Sequence, residues 1–324
     1  MQRELVRNTV LEVAYVGNRG TLLRTTRQVN PVPRNYLSAS PVRDQSTIDY
    51  LGAQAPNPFY PLLPGTSLSG SNTSRSQLLR PYPHFIGISN DSNQGYSWYH
   101  SMQTRFEKRF SAGYTFNLSW TWSKFMEATG YLNETDPMPE RVISDLDRPH
   151  RLVLTGVYEL PFGKGRKWGA HMPGALNRLL GGWQLSNLFQ YQSGAPLGFG
   201  NSIFVGDLKQ IPLPAGERTI SRWFNIAAGF ETNSQRQLGS NIRTMPTRFS
   251  GIRGDGLNNW DFSVVKITDI GERLKLHFRS EFINAFNHAQ FGDPNTSPSS
   301  TAFGRVTTET SLPRTIQFAL KLVF

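Results

Sequence analysis

The chain has 324 residues and no cysteine; 38% of it is hydrophobic, 12% aromatic and 18% charged. Without cysteine it has no disulfides, no thiol chemistry and no Cys-ligated zinc, and no run of about 18 apolar residues is present to make a transmembrane helix. The formal net charge is +11 and the pI is about 10.0, yet the basic residues are dispersed with no Lys/Arg run of five or more, which argues against a nucleic-acid footprint.

In chain order, the first expected strand covers residues 9–16, with Leu11, Val13 and Tyr15 on one face. Gly17-Asn18-Arg19-Gly20 signals a bend or bulge, after which residues 21–24 continue the strand. Residues 29–95 form a long stretch rich in Pro, Ser, Asn and Gly. A loop of that length is uncommon in a compact soluble domain and suggests a functional surface. The second strand, 96–110, sets Trp98, Met102, Phe106 and Phe110 against Gln103, Arg105, Glu107 and Arg109. The tight connection Ser111-Ala112-Gly113 leads into a third strand and makes the pair a hairpin.

That third strand, 114–124, carries the clearest pattern. Tyr114, Phe116, Leu118, Trp120 and Trp122 alternate with Thr115, Asn117, Ser119, Thr121 and Ser123. Side chains alternate across a strand, so one face is wholly apolar and the other is hydroxyl and amide. A soluble antiparallel sheet packing one face on a core produces such alternation. So does a membrane barrel, in which the five aromatic and aliphatic residues face lipid and the polar set faces the lumen. The apolar face is unusually bulky and recurs along the chain, which favours the barrel. A mean hydropathy of −0.41 does not exclude it, because only alternate strand residues meet lipid.

A second long loop, 125–149, holds Glu127, Glu134, Asp136, Glu140, Asp145 and Asp147. Strands follow at 151–160 and 182–193, separated by a breaker-rich basic turn with a short helix expected at 175–180. A third long loop, 194–257, precedes strands at 258–267 and 273–287, which are joined by a short turn at 268–272. After a fourth long loop, 287–313, the last strand covers 314–324, with Ile316, Phe318, Leu320, Leu322 and Phe324 on one face. The expectation is an all-β, antiparallel transmembrane barrel segment of about eight strands, with long extracellular loops alternating with short periplasmic turns. Ten residues at about 3.3 Å rise and about 45° tilt span roughly 23 Å, close to an apolar band of about 25 Å. Phe110, Tyr114 and Phe162 near strand ends fit an interfacial girdle.

Chemical motifs are sparse. None of the histidines forms an HxH or HxxxH pair. Asp145, Asp147 and His150 are close enough in sequence to be weighed as metal ligands, and Glu134, Asp136 and Glu140 as calcium ligands; a solvated loop rim accounts for both groups. Gly251, Gly254 and Gly256 lack the spacing of a phosphate loop, and no Gly-x-Ser-x-Gly elbow occurs. The chain is expected to have no enzymatic activity, metal or cofactor.

Several stretches carry a family resemblance: Phe106-Glu-Lys-Arg-Phe-Ser-Ala-Gly-Tyr-Thr-Phe116, Arg148-Pro-His-Arg-Leu-Val-Leu-Thr-Gly-Val-Tyr-Glu-Leu-Pro-Phe-Gly163, Gly181-Gly-Trp-Gln-Leu-Ser186, and Phe278-Arg-Ser-Glu-Phe-Ile-Asn-Ala-Phe-Asn-His-Ala-Gln-Phe-Gly292. With the final strand they resemble the C-terminal barrel segment of Oar-like TonB-dependent receptors of the bacterial outer membrane. The resemblance implies a barrel of about 22 strands closed by an N-terminal plug and energised through TonB. It also implies that the terminal strand, with Phe318, Leu320, Leu322 and Phe324, is the assembly signal read by the barrel-insertion machinery. The plug, the TonB box and a signal peptide are not found in residues 1–324, so the chain reads as a C-terminal fragment. Its partners are then outer-membrane lipid, the missing N-terminal strands and plug, and TonB only through that N-terminal part. The functional expectation is a segment of a receptor or transporter for an unknown ligand, not transport-competent alone; the alternative is a surface or adhesion protein using the same barrel and loops.

Overall fold

The computed structural model describes residues 1–271 and 273–324. Nine strands form the wall: β1 (Gln2–Val6), β2 (Thr9–Gln28), β3 (Ser89–Ser111), β4 (Tyr114–Ala128), β5 (His150–Glu159), β6 (Trp183–Gln192), β7 (Leu257–Asp269), β8 (Lys275–Ile283) and β9 (Thr315–Val323). Each pairs antiparallel with its neighbours in sequence, and the two-residue strand Val142–Ile143 adds to β4, making a 10-stranded sheet. Among the described residues β1 and β9 do not pair with each other, so the wall is open at both edges.

The register bears out the alternation. Leu11, Phe106, Leu118, Leu154, Phe189 and Trp260 are successive cross-strand partners from β2 to β7. On the opposite face Glu12, Arg105, Ser119, Val153, Gln190 and Asn259 do the same. Phe262, Phe282 and Ile316 carry the apolar face on to β9. Because the side-chain period is two, slipping any one strand by a residue would place its apolar set on the polar face. Tyr114, Phe116, Leu118, Trp120 and Trp122 therefore share one face, as expected from their spacing.

Tight turns join the strands at one end. Ala112 (φ 53°) and Gly113 (φ 86°) both adopt left-handed conformations between Ser111 and Tyr114, which is the turn whose twist matches a two-residue hairpin. The connection 160–182 is longer and carries a helix at Gly174–Leu180, one residue longer than the expected 175–180. The other end holds the long connections 29–88, 129–149, 193–256 and 284–314, named here L1 to L4.

The structure corrects several boundaries: β2 runs on to Gln28 and β4 to Ala128, past the expected ends at 24 and 124. Residues 2–6, outside every expected element, form β1, which turns into β2 at Asn8 (φ 64°). β3 begins at Ser89, inside the expected loop 29–95, because its polar start is zipped to β2 by Asp91, which accepts from Arg24 at 2.6 Å and from Thr26 at 2.7 Å. β7 runs to Asp269 and its turn closes through Ile270 N–H to the Leu274 carbonyl at 2.8 Å; Glu272, the end of the expected turn, lies outside the described residues. β8 stops at Ile283 short of the expected residue 287, since Asn284 (φ 50°) and Asn287 (φ 52°) leave extended geometry.

The absence of cysteine makes this register directly testable. Paired cysteines at Asn117 and Thr155, which are direct partners, should cross-link under mild oxidation or with a short bifunctional thiol reagent. Cysteines at Asn117 and Gly156 project to opposite faces and should not. Equal cross-linking of the two pairs, read by mass spectrometry of the digest, would refute the register.

Candidate functional site

The buried apolar core of the molecule lies in the long connections rather than in the wall. Leu197, Phe199, Ile211, Trp223, Phe224, Ala228, Met245, Ile252 and Phe303 form one cluster, drawn from L3 and L4. Phe224 and Ile211 are almost wholly buried, and Phe199, Phe230 and Phe303 pack edge-on or tilted with ring centroids 4.6 to 6.3 Å apart. Edge-to-face contacts at such spacings add to the burial of the rings. Pro196–Leu197 pairs with Phe249–Arg253. At Gly198 a Cβ would stand 1.7 Å from the Thr247 carbonyl oxygen, so glycine allows that backbone approach. L4 is stitched on by Trp223 N–H to the Gly304 carbonyl at 2.8 Å and Val306 N–H to the Ile220 carbonyl at 2.7 Å.

L2 ties this unit to the strand ends. Asp147, fully buried, accepts from Arg253 Nη2 at 2.6 Å and from the Phe125 amide at 2.6 Å. Glu127 pairs with Arg248 at 2.5 Å and accepts from Ser144, and Arg248 also donates to the Ile143 carbonyl. Glu140 accepts from the Thr247 amide and hydroxyl. Asn133 exchanges two hydrogen bonds with the Arg243 backbone, at 2.7 and 3.0 Å. Burial pushes the Arg243 guanidinium below its ordinary value, opposed in part by Glu140.

L1 joins from the other side. Ser38 exchanges backbone hydrogen bonds with Ser240 and Ile242, and Arg43 donates to the Gln237 carbonyl at 2.8 Å. Asp44 caps the helix Gln45–Gly52 and accepts from Ser46, Thr47 and Ser38; these hydrogen bonds hold its carboxyl well below the usual range. Arg34 meets Asp136 at 2.7 Å. Burial raises the Asp136 carboxyl, and hydrogen bonds from Asn133 and Arg34 more than offset it, for a net lowering. All four long connections thus form one cap at one end of the wall.

These contacts answer the residue groupings expected from sequence. Asp145, Asp147 and His150 do not converge: Asp147 is consumed by Arg253, while Asp145 is exposed. Glu134, Asp136 and Glu140 separate to Gln28, Arg34 and Thr247. Gly251 lies on a strand, Gly254 packs against the Asp293 carboxylate, and Gly256 makes a close approach to the Gln192 carbonyl. No metal-competent group of three His, Asp or Glu occurs among the described residues. Of the terminal residues, Phe318, Leu320 and Leu322 share a face on β9 and stand exposed, and Phe324 lies just beyond the strand at 96% exposure. The cap core was missed because its apolar residues have no period.

Clefts open around the cap. One of about 540 Å³ lies beneath it at the strand ends, lined by Gln192, Arg218, Trp223, Asp255 and His288 among others. A smaller one of about 180 Å³ sits between L1 and L3.

A wall of paired antiparallel strands with one apolar face, tight turns at one end and a folded cap at the other has a counterpart among known families. The model of an outer membrane beta barrel domain matches residues 1–317. The chain belongs to that family. This outer-membrane barrel domain accordingly resides in the bacterial outer membrane, and its sheet is part of a barrel wall. Among solved structures, the outer membrane transporter YddB from Escherichia coli is similar at a TM-score of 0.42 and 10% identity, over 99% of this chain and 31% of that one. The barrel domain therefore spans about a third of that chain's length. No curated protein matches it.

The Asp147–Arg253 pair is the cap's principal tie. Asp147→Asn keeps the volume but leaves the guanidinium without its counter-charge, at a cost of about 3 kcal/mol for a pair this buried. The expected result is faster proteolysis within residues 193–256 and 284–314 while the strand content seen by circular dichroism is retained. Unchanged cleavage rates would remove Asp147 from that role.

Proposed function

We propose that this barrel domain is the C-terminal wall and cap of a TonB-dependent receptor or transporter, with the cap presenting the ligand-binding surface. The observation that supports it most is the folded cap itself. Four long connections share an aromatic core and buried charge pairs, and a preorganised surface binds without the entropy cost of ordering loops. Adhesion would use the same surface. In this reading the apolar face meets lipid, the polar face of Glu12, Arg105, Ser119 and Gln190 lines the interior, further strands pair with the open edges of β1 and β9, and a plug fills the completed barrel. Unpaired edges are not tolerated in lipid, which supports completion by other strands. The chemistry is binding and passage rather than catalysis.

Comparing cells with and without the full-length protein separates transport from adhesion. Transport predicts a solute whose depletion from the medium needs both this protein and an energised inner membrane. Loss of surface attachment with no change in any solute would favour adhesion.

Leu118 lies midway along the apolar stretch of β4, so Leu118→Arg should cost about 2–4 kcal/mol in lipid. Ser119→Arg, on the other face, should stay within about 0.5 kcal/mol. Equal costs in unfolding titrations from vesicles would sink the lipid-facing assignment.

The terminal strand is proposed as the signal for barrel insertion. Phe324→Ala removes about 1.5–3 kcal/mol of burial at most, too little to unfold a large barrel. A recognition role predicts a far larger fall in outer-membrane yield than in the stability of refolded protein. Normal yield would leave Phe324 as one more girdle aromatic.

A further inference from the structure

At the cap end of the apolar face the character of the wall changes within two rows. The row Tyr15, Met102, Trp122, His150 is aromatic and apolar apart from its histidine. The next row is Gly17, His100, Lys124, and the one above it is Arg19, Trp98, Met126. A cleft of about 630 Å³ lies over the β2 and β3 members of these rows, with Arg19 and Arg141 in its lining, and adjoins through Tyr15 and His100 a second of about 540 Å³ lined by Met102, Trp122 and Lys124. Tyr96 and Trp98, two apart on β3, stack along one side of the first with centroids 5.8 Å apart and planes 16° from parallel. Arg141 of L2 reaches over the Trp98 ring at 4.5 Å. Tyr15 holds His100 through a hydrogen bond at 2.5 Å. Among the described residues Arg19, Lys124 and Arg141 have no carboxylate partner within ion-pairing distance, and all three are exposed.

We propose that this cleft seats the phosphorylated saccharide headgroup of an outer-leaflet glycolipid. The inference rests on the apolar face meeting lipid. Its own support is the order of the chemistry along the strands. Acyl chains would run down the Tyr15–Met102–Trp122 surface, and the headgroup would then stand at the level of the unpaired cations. Guanidinium groups take phosphate oxygens in bidentate fashion and an ammonium takes them as a point charge. Flat aromatic faces at the membrane interface offer an apolar platform with a wet rim. Basic pockets at that depth bind anionic headgroups. A soluble anion would need the cations alone; the continuity of aromatic cleft and apolar rows assigns the site to a lipid.

The test uses the full-length protein reconstituted into phosphatidylcholine vesicles that contain either a diphosphorylated glucosamine-disaccharide lipid or its dephosphorylated form. Native mass spectrometry then counts the glycolipid retained on release. The phosphorylated form should be retained at least about tenfold better, and the triple variant R19E/K124E/R141E should lose about tenfold or more of that retention. Equal retention of the two glycolipids overturns the proposal and needs no variant. Displacement of the glycolipid by inorganic phosphate alone, with equal affinity, would show a free-anion site and also overturn it. A nitroxide on Leu118→Cys, away from the cleft, reports oxygen against nickel-complex access. Aqueous access there would mean that the lipid-facing assignment had failed, whereas lipid access with no glycolipid preference would mean that only the headgroup site had failed.

Discussion

In hydrocarbon a backbone amide has no water to bond with, so every strand of a membrane wall must give its hydrogen bonds to a neighbour. The unbroken ladder from β1 to β9 is this constraint made visible. It fixes the register, and the register fixes which residues share a face. The six-residue apolar row from Leu11 to Trp260 exists because every strand between them is in step. The tight turns at Asn8 and Ala112-Gly113 keep it so by leaving no slack at one end.

The wall has little interior of its own. Its β9 side chains are nearly all exposed, and its stability is completed by what lies against the two faces. The cap is the opposite case, with a core and buried ion pairs of its own. Charges such as Asp147 and Glu127 are unsuited to a lipid face but serve here as ties, because each meets an arginine from L3 in a partly dehydrated setting. One chain thus uses two solvents: strand periodicity answers to lipid, and loop composition answers to water and to the cap.

Strand existence was legible because period-two alternation is a direct imprint of the pleat, and residues 114–124 show it without interruption. The ends were less legible where the ladder continues past the apolar span. Ser89–Gln94 has no alternation of hydrophobicity, and only pairing with the polar end of β2 makes it strand. The cap was not legible. Phe199, Phe224, Phe230 and Phe303 come together across aperiodic segments, and no local rule links Arg43 to Gln237 or Asp147 to Arg253. The loop acids were visible as residues but not as partners, since their roles depend on contacts made far along the chain.

That distance carries a consequence for how the molecule forms. Long-range contacts bring their reward only after the loop-closure entropy has been met. L1 is joined to L3 across a stretch of sequence that holds β3 to β6, and L2 to L3 across one that holds β5 and β6. These contacts can form only when the intervening strands already stand side by side. A strand out of step would hold Arg253 away from Asp147. Closure of the cap thus depends on the strands beneath it standing in the right order.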